Sequence, residues 1–100
     1  MKELFKYKSD IERLCNIYNV KSLYAFGSVL SDNFNPQSDI DFIVDFKLLE
    51  ITQYADNYYA FKFSLEDMLK RPIDLLEEKA IKNPYFLQSI ENQRELIYEN

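Results

Sequence analysis

Four residues in the first half of the chain have the types and the spacing for chemistry on a phosphate group. Gly27 and Ser28 end one apolar run, and Asp39 and Asp41 open the next, with ten residues between the two pairs. A glycine at a strand end lets the backbone approach a ligand closely, and a serine that opens a helical turn offers its hydroxyl and free N–H groups to a phosphate. Two aspartates at i and i+2 on a strand point to the same side and can bridge Mg²⁺ together with substrate phosphates.

A third carboxylate, Asp74, lies between Ile73 and Leu75 in a short apolar run. On a strand beside the first two aspartates it would complete a two-metal site, in which one ion activates a hydroxyl and the other holds a triphosphate and its leaving pyrophosphate. Each residue alone has a simpler interpretation. Alternating aspartates usually face water, Ser28 could be a helix cap, and Asp74 could be a charge on a strand edge. The combination is what favours catalysis.

The composition excludes several other kinds of chemistry. The chain has no His, one Cys and one Gly in 100 residues. Triads with histidine, disulfides, zinc clusters and iron–sulfur sites are therefore excluded, as are Walker and dinucleotide-binding loops. Any reaction must use carboxylates, hydroxyls, Lys, Arg and the backbone.

Net charge and hydropathy indicate where in the cell we expect the protein to lie. Twelve Lys and Arg against seventeen Asp and Glu give a net charge of −5, which argues against general nucleic-acid binding. Residues 1–6 are charged and do not resemble a signal peptide, and no apolar run approaches the length of a membrane span. We therefore expect a cytoplasmic protein, with Cys15 as a buried small apolar residue rather than a reactive thiol.

Apolar periodicity predicts the elements that must position these residues. Residues 39–46 alternate, with an apolar face and a face that carries Asp39, Asp41 and Asp45. Asp45 is interpreted as solvated or as an accessory contact. The other predicted elements are a helix capped by Ser9 or Asp10 and ending near 19, a strand at 20–26, a loop at 31–38, a helix at 52–70 with a potential break near 63, a strand at 72–76, a helix from Asn83-Pro84 to about 92, and a strand at 95–98.

These residues together carry a family resemblance that covers nearly the whole chain. Gly27-Ser28, ten residues and then Asp39-Ile40-Asp41 resembles the G-S-x10-D-x-D signature of the polymerase β nucleotidyltransferase superfamily. The run at 71–76 resembles the strand with its third carboxylate. The segment 78–85 resembles the end of the minimal nucleotidyltransferases, which are small proteins often paired with a HEPN-type ribonuclease toxin. The resemblance implies an α+β, polymerase β-like fold: a small mixed sheet with helices packed on one face and the nucleotide site on the other. It also implies one nucleotidyltransferase domain over residues 1–100.

The resemblance also implies a role for each residue of the motif. Gly27 and Ser28 would bind the nucleoside triphosphate, and Asp39 and Asp41 would bind two Mg²⁺ ions. Asp74 would bind the catalytic metal and help to activate the acceptor hydroxyl. In paired systems, such an enzyme is similar to an antitoxin that transfers AMP from ATP to a tyrosine of its HEPN toxin.

The sequence departs from the family pattern directly after this motif. The family often continues with a small residue, Arg and Gly, whereas Ser31 and Asp32 occupy the Arg and Gly positions here. Loss of the arginine would weaken stabilisation of the triphosphate charge. A second hypothesis is therefore a catalytically weak or inactive antitoxin that masks its partner by contact. A third is transfer to a small molecule such as an aminoglycoside, for which a dimer would have to supply the missing walls of the site.

Two aromatic residues suggest a protein interface. Tyr59 and Phe63 lie off the inner stripe of the long predicted helix, at i and i+4. Large apolar side chains left exposed together often mark a contact surface. We expect them at an interface in a homodimer or with a toxin.

Overall fold

The computed structural model describes residues 2–30 and 39–100. The described residues form four α-helices and four strands, with short 3-10 turns at Gly27–Leu30 and Glu78–Ala80. The bounds are α1 Lys2–Phe5, α2 Lys8–Ile17, β1 Val20–Phe26, β2 Ile40–Phe46, α3 Ile51–Leu69, β3 Ile73–Glu77, α4 Pro84–Gln93 and β4 Glu95–Glu99. The mixed helix and strand content confirms the predicted α+β class. The predicted loop at 31–38 lies outside the described residues.

The strands and the later helices agree closely with the sequence predictions. The first strand has the predicted bounds, and the other three begin or end within one residue of theirs. Helix α4 begins as predicted, because the Oδ1 atom of Asn83 accepts hydrogen bonds from the N–H groups of Tyr85 (2.9 Å) and Phe86 (3.2 Å). Helix α3 runs without the break considered near Phe63.

The predicted cap of helix α2 was wrong. The helix begins at Lys8, so Ser9 and Asp10 lie inside its first turn, and no side chain caps it. The reason is the preceding helix α1, which the sequence did not indicate. Tyr7 joins the two helices: its N–H donates to the Leu4 carbonyl (3.0 Å), and its carbonyl accepts from the Ile11 N–H (2.8 Å). The helical backbone therefore continues almost without interruption from α1 into α2, and the start of α2 lies one to two residues before the predicted cap.

The four strands form one sheet in the order β3-β2-β1-β4. Strand β1 is antiparallel to both of its neighbours, whereas β2 and β3 are parallel. A parallel pair requires a long connection, and helix α3 lies within it. The sheet is therefore mixed, as predicted.

The main core lies on one face of the sheet. Every second residue of a strand points to this face and packs against buried residues of α2 and α3. The helix residues are Ile11, Cys15, Phe61, Leu65 and Leu69. The opposite face carries the alternate residues of β2, among which Ile43 is buried but lies outside this cluster. No helix in the described part of the chain is long and apolar enough to cross a membrane.

The end of helix α3 sets the start of β3. Lys70 takes a left-handed conformation with φ 59°, and its N–H donates to the Glu66 carbonyl at 2.9 Å. Pro72 disfavours helical backbone at Arg71 and cannot itself continue the helical hydrogen bonds. The chain therefore turns sharply and enters β3 directly beside the first residues of β2.

Candidate functional site

Strand register brings the predicted site residues to one end of the sheet. Phe26 pairs with Asp41 across β1 and β2, and Asp41 pairs with Asp74 across β2 and β3. Gly27 directly follows Phe26, and Asp39 lies one residue before β2. The three carboxylates and the glycine, separated along the chain, therefore meet around Asp41.

Two independent features of the structure require a glycine at position 27. Its φ is +77°, a left-handed backbone conformation that residues with a side chain rarely adopt. A Cβ atom built on it would lie 2.5 Å from the Oδ2 atom of Asp41. The sequence predicted a bare backbone against a phosphate, and the structure adds that the same bare backbone makes room for a carboxylate.

Ser28 lies in the 3-10 turn Gly27–Leu30, directly after the strand. Val29, the next residue, is fully buried and anchors the turn in the core. The side chain of Ser28 lies outside the described part of the structure, as do Ser31 and Asp32, so its role in triphosphate binding stays a prediction.

The electrostatics of the site are dominated by negative charge. Asp41 is half-buried, whereas Asp39 and Asp74 are exposed. Burial raises the pKa of the Asp41 carboxyl above its usual value, and the charges of Asp74 and Asp39 raise it further. Among the described residues, none of the three carboxylates forms an ion pair with a Lys or Arg. Their repulsion is therefore left for a bound cation to relieve.

The donor set suits a hard divalent cation. Mg²⁺ prefers carboxylate oxygens and usually completes its shell with water and substrate phosphates. Within residues 2–30 and 39–100, no three His, Cys, Asp or Glu side chains are gathered closely enough to hold an ion by themselves. The carboxylates would therefore hold a divalent ion together with the oxygens of a bound triphosphate.

Asp45 lies on the same strand face but outside this cluster. Its carboxylate is 3.3 Å from the Nζ atom of Lys79, and its side chain is only 13% exposed. It is therefore an accessory structural contact, one of the two interpretations that the sequence left open.

The segment 77–79 forms contacts with distant parts of the chain. Glu77 accepts a hydrogen bond from Tyr54 at 2.5 Å, and Glu78 pairs with Arg94 at 3.1 Å. The Arg94 guanidinium also lies 3.8 Å from the centre of the Tyr24 ring. These contacts join residues far apart in the chain, so no local spacing could have signalled them.

The aromatic pair predicted on helix α3 is exposed. Tyr59 and Phe63 are 52% and 58% exposed, and their rings stack with centroids 5.9 Å apart. They cover each other in part but leave an apolar surface open to a partner.

With this geometry in place, the chain can be assigned to a family. Residues 8–97 match the model of the nucleotidyltransferase domain, so the chain belongs to that family. This confirms the interpretation of the chain as a nucleotidyltransferase and agrees with the resemblance based on the Gly-Ser and Asp-x-Asp motifs.

Curated relatives from Methanocaldococcus jannaschii are similar over most of their length. One, provisionally named protein adenylyltransferase MJ0128, is 40% identical over 81 residues, which are 81% of this chain and 78% of the relative. MJ1379, with the same provisional name, is 34% identical over 98 residues, 98% of this chain and 93% of the relative. The relatives that match are thus small proteins of comparable size.

Solved structures confirm the polymerase β-like nucleotidyltransferase fold. A structure assigned as a minimal nucleotidyltransferase superposes with a TM-score of 0.78 at 20% identity, over 94% of this chain and 92% of the other. A chain of a toxin–antitoxin crystal structure with AMP-PNP gives 0.71 at 19% identity, covering 93% and 73%. A chain of the Shewanella oneidensis complex of a tri-AMPylated HEPN toxin with its MNT antitoxin gives 0.65 at 17% identity, covering 96% and 72%. At these identities the likeness establishes the fold.

Proposed function

We propose that this protein transfers AMP from ATP, with Mg²⁺, to a hydroxyl group of a partner protein. The observation that carries the proposal is the meeting of Asp41 with Asp74 on one side and Gly27 on the other. Among the residues that the structure describes, this carboxylate cluster has no ion pair with a Lys or Arg. Beside a turn that can face a phosphate, such a cluster is suited to a nucleoside triphosphate with its metal ions.

Each residue has a distinct part in this reaction. Gly27 and Ser28 bind the triphosphate through the backbone and hydroxyl of the 3-10 turn, and Asp39, Asp41 and Asp74 hold the divalent ions. When bound, the divalent ions would neutralise part of the phosphate charge and would lower the pKa of the acceptor hydroxyl. The hydroxyl oxygen bonds to the α-phosphorus and its proton passes to the carboxylate of Asp74. The bond from that phosphorus to the bridging oxygen breaks, and pyrophosphate leaves. Asp74, at the exposed edge of the cluster, orients the acceptor.

A HEPN-type toxin is the acceptor that the comparisons support best. The curated relatives carry a provisional protein adenylyltransferase name, and a structural neighbour belongs to a complex of an AMPylated HEPN toxin with an antitoxin. We propose that this chain is the antitoxin of such a pair and modifies its toxin. The use of ATP would place this reaction in the cytoplasm.

The decisive experiment is transfer of label from α-³²P-ATP. The purified chain is incubated with Mg²⁺ and the protein encoded by the adjacent gene, beside an Asp41→Asn variant and an Asp45→Asn control. We expect label on the neighbouring protein with the wild type and the control but not with Asp41→Asn. Equal labelling by Asp41→Asn, or none by the wild type, would overturn the proposal.

A second candidate is a binding module that neutralises its partner by contact alone. The stacked, exposed pair of Tyr59 and Phe63 favours it, because such a surface can be buried against another protein. An Asp39→Asn/Asp41→Asn double variant that still neutralises the toxin would support this candidate, especially if Tyr59→Ser/Phe63→Ser abolishes neutralisation. Loss of neutralisation in the double aspartate variant would contradict it.

Two properties of the assembly belong to the same proposal. Residues 1–100 would form one nucleotidyltransferase domain, since one sheet and one main core account for the described residues. A single cooperative unfolding transition would test this. The Tyr59–Phe63 surface could also pair two copies of the chain, and sedimentation of the purified protein decides between a homodimer and a monomer that awaits its partner.

A further inference from the structure

Strand β3 carries Asp74 although its position in the sheet is weak. It has five residues, lies at one edge and is bonded to a single neighbour, the parallel strand β2. A short edge strand is readily displaced, because only one side of its backbone is held. Any catalytic use of Asp74 therefore requires something besides β2 to fix β3.

Helix α3 contacts every second residue of β3 through hydrogen bonds. The strand residues involved are Ile73, Leu75 and Glu77, which alternate along β3. The contacts are Tyr54 Oη to Glu77 Oε2 at 2.5 Å, Tyr58 Oη to the Leu75 carbonyl at 2.5 Å, and the Ile73 N–H to Glu66 Oε2 at 3.0 Å.

Two of these contacts satisfy the open edge of the strand. In a parallel pair, alternate residues bond to the neighbour, and the Ile40 N–H donates to the Pro72 carbonyl at 3.3 Å. The N–H of Ile73 and the carbonyl of Leu75 therefore point away from β2. Glu66 and Tyr58 supply the partners that a further strand would otherwise provide.

The two tyrosines remain donors over the whole neutral range. Burial raises the pKa of Tyr54 and of Tyr58 above the usual value, and the charge of Glu77 raises both further. The two tyrosine contacts therefore persist throughout the neutral pH range.

We infer that Tyr58 and Glu66, assisted by Tyr54, are positioning residues that hold β3 in register so that Asp74 stays opposite Asp41. Nothing in the sequence motif includes these three residues. The inference rests on the proposed function for its kinetic consequence, whereas its structural part stands independently.

The kinetic test uses Tyr58→Phe and Glu66→Leu in AMP transfer from ATP to the labelled neighbouring protein. The turn that we propose binds the triphosphate, Gly27–Leu30, lies outside β3. We therefore expect KM for ATP to stay within about twofold while kcat falls about tenfold, as small misplacements of catalytic groups do. Glu66→Gln keeps a carbonyl acceptor for the Ile73 N–H and should restore most of kcat. Tyr98→Phe is the matched control, since its hydroxyl donates to Asn16 at 3.0 Å, away from β3.

Hydrogen exchange measured by mass spectrometry supplies a readout that needs no substrate. In Tyr58→Phe and Glu66→Leu, the amides of β3, residues 73–77, should exchange faster, while β1 and β4 keep the wild-type rate. Unchanged exchange in β3 in both variants would overturn the inference. So would a fall in kcat that Glu66→Gln does not restore. A wild type that transfers no label would instead overturn the proposed function, and the exchange rates would still decide the role of helix α3.

Discussion

Asp41 and Asp45 lie on the same face of the same strand, yet the protein treats their charges in opposite ways. Three residues lie between them, so the two are about 13 Å apart along the strand. Asp45 is nearly buried and has a cation, Lys79, at 3.3 Å. Asp41 is half-buried with Asp39 and Asp74 as its charged neighbours, and among the described residues it has no cation.

The difference indicates that the Asp45 end of β2 has a structural role, whereas the Asp41 end is suited to bind a ligand. A carboxylate with its own lysine contributes to folding and has little reason to bind a metal. A carboxylate that is held against two others raises the energy of the empty site, and a bound cation relieves that repulsion. The alternation of β2 alone could not distinguish the two aspartates.

Replacement of each aspartate by asparagine gives the largest expected effect. Asp41→Asn should reduce AMP transfer by at least about 100-fold, because a neutral ligand weakens binding of the divalent ion. Asp45→Asn should stay within about twofold, since its carboxylate only pairs with Lys79. The measurement is the initial rate of label transfer at saturating ATP. Similar losses in the two variants would remove the distinction between the two ends of the strand.

Gly27→Ala should destabilise the fold and the site together. The added Cβ would meet Asp41 Oδ2 at 2.5 Å, and the φ of +77° is strained for alanine. We expect a loss of about 1–3 kcal/mol in the free energy of unfolding, measured with denaturant. In an Asp41→Ala background the close contact is absent and only the backbone strain remains. The same substitution should therefore cost less there, and an equal cost in both backgrounds would mean that the contact with Asp41 is unimportant.

Stability in EDTA should change in opposite directions for the two aspartates. The folded-state pKa of Asp41 is raised above 3.8, so this group favours the folded state only while it is protonated, and that contribution is lost as pH rises. Asp41→Asn should therefore stabilise the metal-free protein at pH 7 by about 0.5 kcal/mol after solvent screening, and less at pH 3. Asp45→Asn should destabilise it by about as much. Thermal unfolding at both pH values checks the signs, and a destabilising Asp41→Asn would contradict the repulsion.

Cys15 adds a third titratable side chain to the comparison of Asp41 with Asp45, and its surroundings are apolar. Burial raises the pKa of its thiol to about 12, with a smaller contribution from the charge of Glu12. Thiolate is the reactive form, so the native protein should react with a disulfide reagent at pH 8 far more slowly than the protein in guanidinium. Rapid reaction of the native protein would show that helix α2 opens readily. No change in AMP transfer is expected for Cys15→Ala.

Much of the fold could be predicted from local patterns. Strand β2 followed from apolar alternation and the capped start of α4 from Asn83-Pro84, and both signals act over a few residues. Helix α1 and the start of α2 could not be predicted, because the local signal was a cap at Ser9 or Asp10, whereas the helical backbone continues from α1 through Tyr7 into α2.

The sequence by itself determined the chemistry available to this protein: carboxylates at Asp39, Asp41 and Asp74, one glycine beside a serine, and no histidine. Residue types and short spacings are local properties, so they can be read without a fold. Only the tertiary structure decided that Gly27 faces Asp41, that Asp45 belongs to a lysine, and that helix α3 holds the strand of Asp74. Those pairings join distant parts of the chain, and they depend on strand register and helix packing, which local patterns do not encode.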